Sequence, residues 1–98
     1  MEERIEIGGK AYALRYTVNS LCAMEERCGC SLEQALSKDF TAARLLLWGG
    51  LIAKQPDLTL ERAGEMLDRY LEDGGSIGGI VEIAAQALEA AGFLQDHA

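Results

Sequence analysis

Arg4-Ile-Glu-Ile-Gly-Gly-Lys-Ala-Tyr-Ala-Leu-Arg-Tyr16 is the stretch that decides the fold class. Ile5 and Ile7 alternate with Arg4 and Glu6, and beyond Gly8-Gly9 the residues Ala11, Ala13 and Arg15 alternate with Tyr12, Leu14 and Tyr16. Period 2 on both sides of two glycines, which accept the positive φ angles of a tight turn, predicts a β-hairpin. A lone two-stranded hairpin is marginal in water, so one face lies on the rest of the chain or pairs with another chain. Its outer edge is open to strand addition. Everything after Tyr16 has helical spacing. The chain therefore reads as α+β, mostly α: a short N-terminal β-hairpin followed by a compact bundle of about four to five helices. Its 98 residues make a single domain, with the hairpin at 1–16, the helical body at 17–98 and a flexible joint near 73–79.

Thr17 or Asn19 caps a first helix reaching about Cys28, with Val18, Leu21, Cys22 and Met24 turned to the core and Gly29 ending it in the left-handed region. Ser31-Leu-Glu-Gln34 is a capping-box pattern opening a short second helix through Leu36, and Lys38-Asp39 breaks it. Thr41 or Asp39 caps the most apolar helix, Ala42 to about Lys54, which carries Leu45, Leu46, Leu47, Trp48, Leu51 and Ile52 and so belongs at the centre. Gly49-Gly50 inside it costs about 1 kcal/mol per glycine against alanine, which implies close helix packing or a kink. Pro56 ends that helix, and Thr59 caps an amphipathic one from about Leu60 to Glu72. Its wet face offers a Glu65 to Arg69 pair. A last helix, about Ile77 to Ala91, follows Gly74-Gly75-Ser76; Gly92 closes it, and Phe93-Leu94 folds back or projects.

Net charge is −7, and from Thr41 onward the only bases are Arg44, Lys54, Arg62 and Arg69. That balance argues against a nucleic-acid backbone, which needs a clustered basic footprint, and against an anionic membrane surface. No apolar run reaches the roughly 18 residues of a membrane helix. Cys22, Cys28 and Cys30 are an odd number without a signal segment, so the reading is reduced thiols in a cytoplasmic compartment.

No catalytic or metal-binding constellation is foreshadowed. Cys28-Gly-Cys30 lacks the spacing of a zinc knuckle, and the single histidine, His97, stands near the C-terminus. Gly74-Gly-Ser-Ile-Gly-Gly79 precedes a helix but has no P-loop lysine, and Glu72-Asp73 repel phosphate, so it reads as a linker. Neighbouring carboxylates such as Glu61 with Glu65 read as solvated surface. Ser20, Ser31 and Ser37 lack a histidine partner, and Cys22 reads as core. Trp48 fits the core of the central helix or the edge of an interaction groove, since tryptophan is enriched at binding hot spots. Tyr12, Tyr16, Tyr70 and Phe93 are aromatics able to line such a groove, whose acidic rim would favour a basic partner.

Three passages resemble the tail assembly chaperones of long-tailed phages, prophages and the related gene transfer agents. They are the run from Ile5 to Leu32, with its Ile-Glu-Ile-Gly-Gly-Lys-Ala-Tyr opening and Met24-Glu-Glu before Gly29 and Ser31-Leu32; the run Leu46-Leu-Trp-Gly-Gly-Leu-Ile-Ala-Lys-Gln-Pro-Asp-Leu-Thr-Leu-Glu-Arg-Ala-Gly64; and the ending Ile83-Ala-Ala-Gln-Ala-Leu-Glu-Ala-Ala-Gly92. None is a chemically diagnostic motif, but they fall in the family's order across nearly the whole chain. The resemblance implies a non-enzymatic helper, without cofactor, in the cytoplasm of a bacterial host cell. Such proteins bind the tape-measure protein, keep it soluble and help recruit tail-tube subunits.

On that reading Tyr12, Leu14, Trp48, Leu51 and Phe93 are the candidate contact residues, and the partners are the tape-measure and tail-tube proteins, with a homo-oligomer also open. It expects an exposed apolar patch above a few hundred square ångströms. Two other classes stand beside it. A structural tail or connector component would form a symmetric ring or a stable interface between unlike surfaces. A small enzyme would need a polar cleft.

Overall fold

The computed structural model describes residues 3–29, 31–36 and 39–93. Cys30, Ser37, Lys38, Leu94 and His97, on which sequence readings fall, lie outside them. The architecture is the expected α+β one: a two-stranded antiparallel hairpin, β1 (Glu3–Ile7) and β2 (Lys10–Leu14), precedes α1 (Val18–Cys28), the single turn α2 (Leu32–Ala35), α3 (Phe40–Leu51), α4 (Leu60–Glu72) and α5 (Ile77–Ala90). Gly8 and Gly9, at φ 60° and 81°, make the two-residue turn, and Ile7 pairs with Lys10, Ile5 with Tyr12 and Glu3 with Leu14. That register puts Ile5, Ile7 and Leu14 on one face, and all three are buried. The face lies on the helices: β1 packs on α4 and α5, β2 on α3.

The centre is α3. Nine of its residues are buried, and α1, α2, α4, α5 and β2 all pack against it. Its cap is Asp39, whose Oδ1 accepts from the Ala42 N–H at 2.7 Å. Thr41, the first-named candidate, is instead within the helix and exposed, so α3 starts and ends earlier than the sequence suggested. The helix stops at Leu51, ahead of Pro56, in a turn where the Lys54 and Gln55 N–H groups both donate to the Leu51 carbonyl. The paired glycines are there for close packing. A Cβ on Gly49 would stand 2.1 Å from the Met24 sulfur of α1, and one on Gly50 would meet Leu14 Cδ2 at 2.9 Å and the Tyr16 hydroxyl at 3.0 Å. The same region ties down the hairpin: the Arg15 N–H donates to Gly50 O at 2.8 Å, and the buried Tyr16 hydroxyl donates to Leu46 O at 2.6 Å.

At α1 the sequence reading needs correction. Thr17 is the cap, and a reciprocal box forms with Ser20: Thr17 Oγ1 accepts from the Ser20 N–H, and Ser20 Oγ accepts from the Thr17 N–H. Folding Ser20 back onto Thr17 and seating Met24 on Gly49 fixes which side faces inward. Val18 and Cys22, expected in the core, fall on the far side and are exposed. Gly29, at φ 65°, ends the helix as expected. Cys28 is disulfide-bonded, contrary to the expectation of reduced thiols, and Cys22 is free. The Ser31 to Gln34 box is also present, with Gln34 Oε1 accepting from the Ser31 N–H at 2.9 Å.

Thr59 caps α4 and Ser76 caps α5, each accepting from an N–H three residues on. Both helices end in the same way. Gly74 and Gly92 take positive φ, and the next residues reach back, Gly75 N–H to Tyr70 O and Phe93 N–H to Leu88 O, both at 2.9 Å. The segment read as a joint is thus a hydrogen-bonded turn whose Gly75 lies against the Tyr70 ring. Phe93 folds back and packs on the core. On the wet face of α4 the pairs are Arg62 with Glu65 and Arg69 with Asp73, not Glu65 with Arg69, because Asp73 at the helix end draws the Arg69 guanidinium.

Gly49→Ala is expected to destabilise the chain by about 1–3 kcal/mol through overpacking, despite alanine's better helix propensity. In a Met24→Ala background the same change should cost far less, and urea unfolding of the four members of that cycle reads the coupling. Tyr16 supplies a second outcome. Burial pushes its phenol well above the ordinary value, so the folded state holds that proton more tightly than the unfolded chain. The resulting stability is fully present below about pH 10 and is lost as pH rises beyond it. Tyr16→Phe should lower stability by about 1 kcal/mol at neutral pH and flatten the alkaline decline seen in urea midpoints.

Candidate interaction surface

The five residues singled out from the sequence do not form one exposed surface. Leu14, Trp48 and Leu51 are buried in the core, and Tyr16 is buried too. Each correction has the same cause: α3 is packed on by α1, α2, α4, α5 and β2, so its stretch from Leu45 to Leu51 and the end of β2 that faces it are enclosed. Tyr12 and Phe93 are half-buried and packed on the edge of the core. Of the five, Tyr12 and Leu51 are brought together, lining a cleft of about 340 Å³ between the hairpin and the turn after α3.

Trp48 is held rather than offered. Its indole N–H donates to Leu58 O at 2.9 Å, which fastens the α3–α4 connection to α3, and the Arg27 guanidinium lies over its ring at 5.5 Å from the centroid. The edge of the ring still reaches a second cleft, of about 510 Å³, with Ala23, Ile52 and Pro56 as apolar lining and Glu26 and Arg27 on α1. Both readings of Trp48 therefore have a physical counterpart: the residue belongs to the core, and one edge borders a groove.

Two residues that sequence reasoning did not choose are the most exposed large apolar side chains among those described, Val18 at 63% and Phe40 at 71%. Both stand immediately after a cap, Thr17 and Asp39. The first helical position sits at the rim of a helix, ahead of the turns that pack. That was the available signal: choosing Asp39 over Thr41 as cap makes Phe40 the first helical residue. The thiol of Cys22 is exposed on α1 as well.

The polar groups are structurally occupied. Among the described residues no buried side-chain nitrogen or oxygen lacks a partner, and no group of three or more His, Cys, Asp or Glu is placed to hold a metal ion. No helix among them is long and apolar enough to cross a membrane. Comparison with protein-family models, with curated proteins and with solved structures gave no match.

Trp48→Phe keeps the ring but leaves Leu58 O without its donor. Unfolding by urea is expected to show a loss of about 1–2 kcal/mol, and hydrogen exchange should speed up between Lys54 and Thr59 while α5 stays protected.

Proposed function

We propose that this chain is a tail assembly chaperone of the long-tailed phage type, which holds the helical tape-measure protein soluble and helps bring tail-tube subunits to it. The observation that carries this reading is the pair Val18 and Phe40: large apolar side chains kept at the surface, where they add nothing to the chain's own core. A reversible protein-binding surface requires such residues. The groove bordered by Trp48, Ile52 and Pro56 supplies a concave apolar strip of the kind that takes one face of a partner helix.

The passages that resemble the family support the reading from another side. Ile5, Ile7 and the two turn glycines set the hairpin, Met24 and Gly49 set the α1–α3 contact, and Trp48 with Leu58 sets the α3–α4 connection. Residues that hold joints of a fold are the ones a shared fold would keep. The net charge of −7 suits a partner segment whose surface is basic, since complementary fields speed encounter and disfavour acidic competitors.

Co-expression with a tape-measure protein, followed by size-exclusion chromatography with light scattering, tests the proposal. The wild-type chain should co-elute with that protein and keep it soluble. A Val18→Ser, Phe40→Ser double variant should retain the helical circular dichroism spectrum and lose most of the co-elution. A closed ring of this chain alone, with no association, would favour a structural tail component instead.

A further inference from the structure

The cations of this acidic chain are not evenly spread. Arg4 and Lys10 of the hairpin and Lys54 of the turn after α3 line the cleft of about 340 Å³, and no carboxylate is among its described lining residues. The cleft follows the outer edge of β2, and the hairpin register shows what that edge presents. In a two-residue hairpin the pair flanking the turn, Ile7 and Lys10, exchanges hydrogen bonds, and alternate pairs do likewise. Ile5 with Tyr12 and Glu3 with Leu14 are therefore bonded pairs, whereas Glu6 with Ala11 and Arg4 with Ala13 are not. The N–H and C=O groups of Ala11 and Ala13 point away from β1. Arg15, next in the same phase, confirms the direction, because its N–H crosses to Gly50 O on α3 at 2.8 Å. Two alanines also leave room for another backbone to approach.

We propose that this edge of β2 accepts an extended acidic segment of a partner protein as a third strand. The main-chain groups of Ala11 and Ala13 supply the ladder, and Arg4 and Lys10 face the incoming carboxylates. A second copy of this chain is the poorer occupant, because β2 carries no carboxylate to set against the Lys10 of another copy. The inference does not rest on the chaperone reading: it concerns a different surface and an extended rather than a helical segment.

The test uses the intact chain, with a fluorescein-labelled alternating Glu-Val peptide followed by anisotropy and an alternating Lys-Val peptide as control. The Glu-Val peptide should bind, the Lys-Val peptide should not, and binding should weaken about tenfold as salt shortens the Debye length from about 14 Å to about 5 Å. Amide exchange at Ala11 and Ala13 should slow on binding. Ala13→Pro removes a donor of the outer row and none of the β1–β2 ladder, so it should abolish binding with the circular dichroism spectrum unchanged. Arg4→Glu with Lys10→Glu, both at exposed positions, gives the same loss without touching the backbone and decides the matter if the proline variant misfolds. Absence of binding, equal binding of both peptides, or unaltered exchange at Ala11 and Ala13 overturns the proposal. Slow exchange there in a peptide-free dimer overturns it too, and gives the edge to a second copy.

Discussion

The structure depends on how closely α3 can be approached near its C-terminal end. Gly49 and Gly50 present bare backbone on two sides of the helix, and Met24 from α1 and Leu14 with Tyr16 from the hairpin fill the space a side chain would take. Each glycine gives up about 1 kcal/mol of helix propensity. Burying a side chain of the size of Met24 or Leu14 contributes roughly 1.5–3 kcal/mol, so the exchange favours the glycines. It also fixes position: with Met24 on one glycine and Tyr16 against the other, α1 and the hairpin have one way to sit. The Tyr16 hydroxyl and the Arg15 amide then bond to α3 carbonyls that the close approach has brought within reach.

That central joint also shapes the surface. Because α3 draws in the apolar residues of every element around it, what remains outside is set by helix starts and strand edges. Val18 and Phe40 stay out because they precede the packing turns, and along the outer row of β2 the hydrogen bond to α3 falls just beyond the strand, at the Arg15 amide. One chain thus carries an apolar character at two helix starts and a cationic one along a strand edge, against an acidic background. Surfaces so unlike in chemistry do not compete for the same ligand.

The fold was legible wherever a local rule acted alone. The hairpin and its turn, the boxes or caps at Ser31 and Thr59, and the glycine ends of α1 and α5 follow from period, capping or backbone freedom, while Thr17 over Asn19 as cap and close packing over a kink at Gly49-Gly50 were each one of two readings that the structure decides. Errors came where two local rules competed and a tertiary contact chose. Asp39 and Thr41 are both good caps, and Val18 and Cys22 share with Met24 the apolar character expected of the inner face of α1; the Thr17–Ser20 box and Met24 on Gly49 settle the second case. The candidate site was far less legible. Leu14, Trp48 and Leu51 were chosen for being large and apolar, which is equally the signature of a core, and only the enclosure of α3 separates the two. Phe40 was passed over because exposure at a helix start depends on the helix boundary, the least certain feature of a sequence reading.

The packing of β1 against α4 and α5 sets an order of events during synthesis. The hairpin needs only contacts within about a dozen residues and can form while the chain is still emerging. The helices that cover Ile5 and Ile7 are the last of the described elements to be made, so for most of translation that apolar face has no cover. A nascent chain in this condition is open to wrong strand pairing until α4 and α5 cover that face.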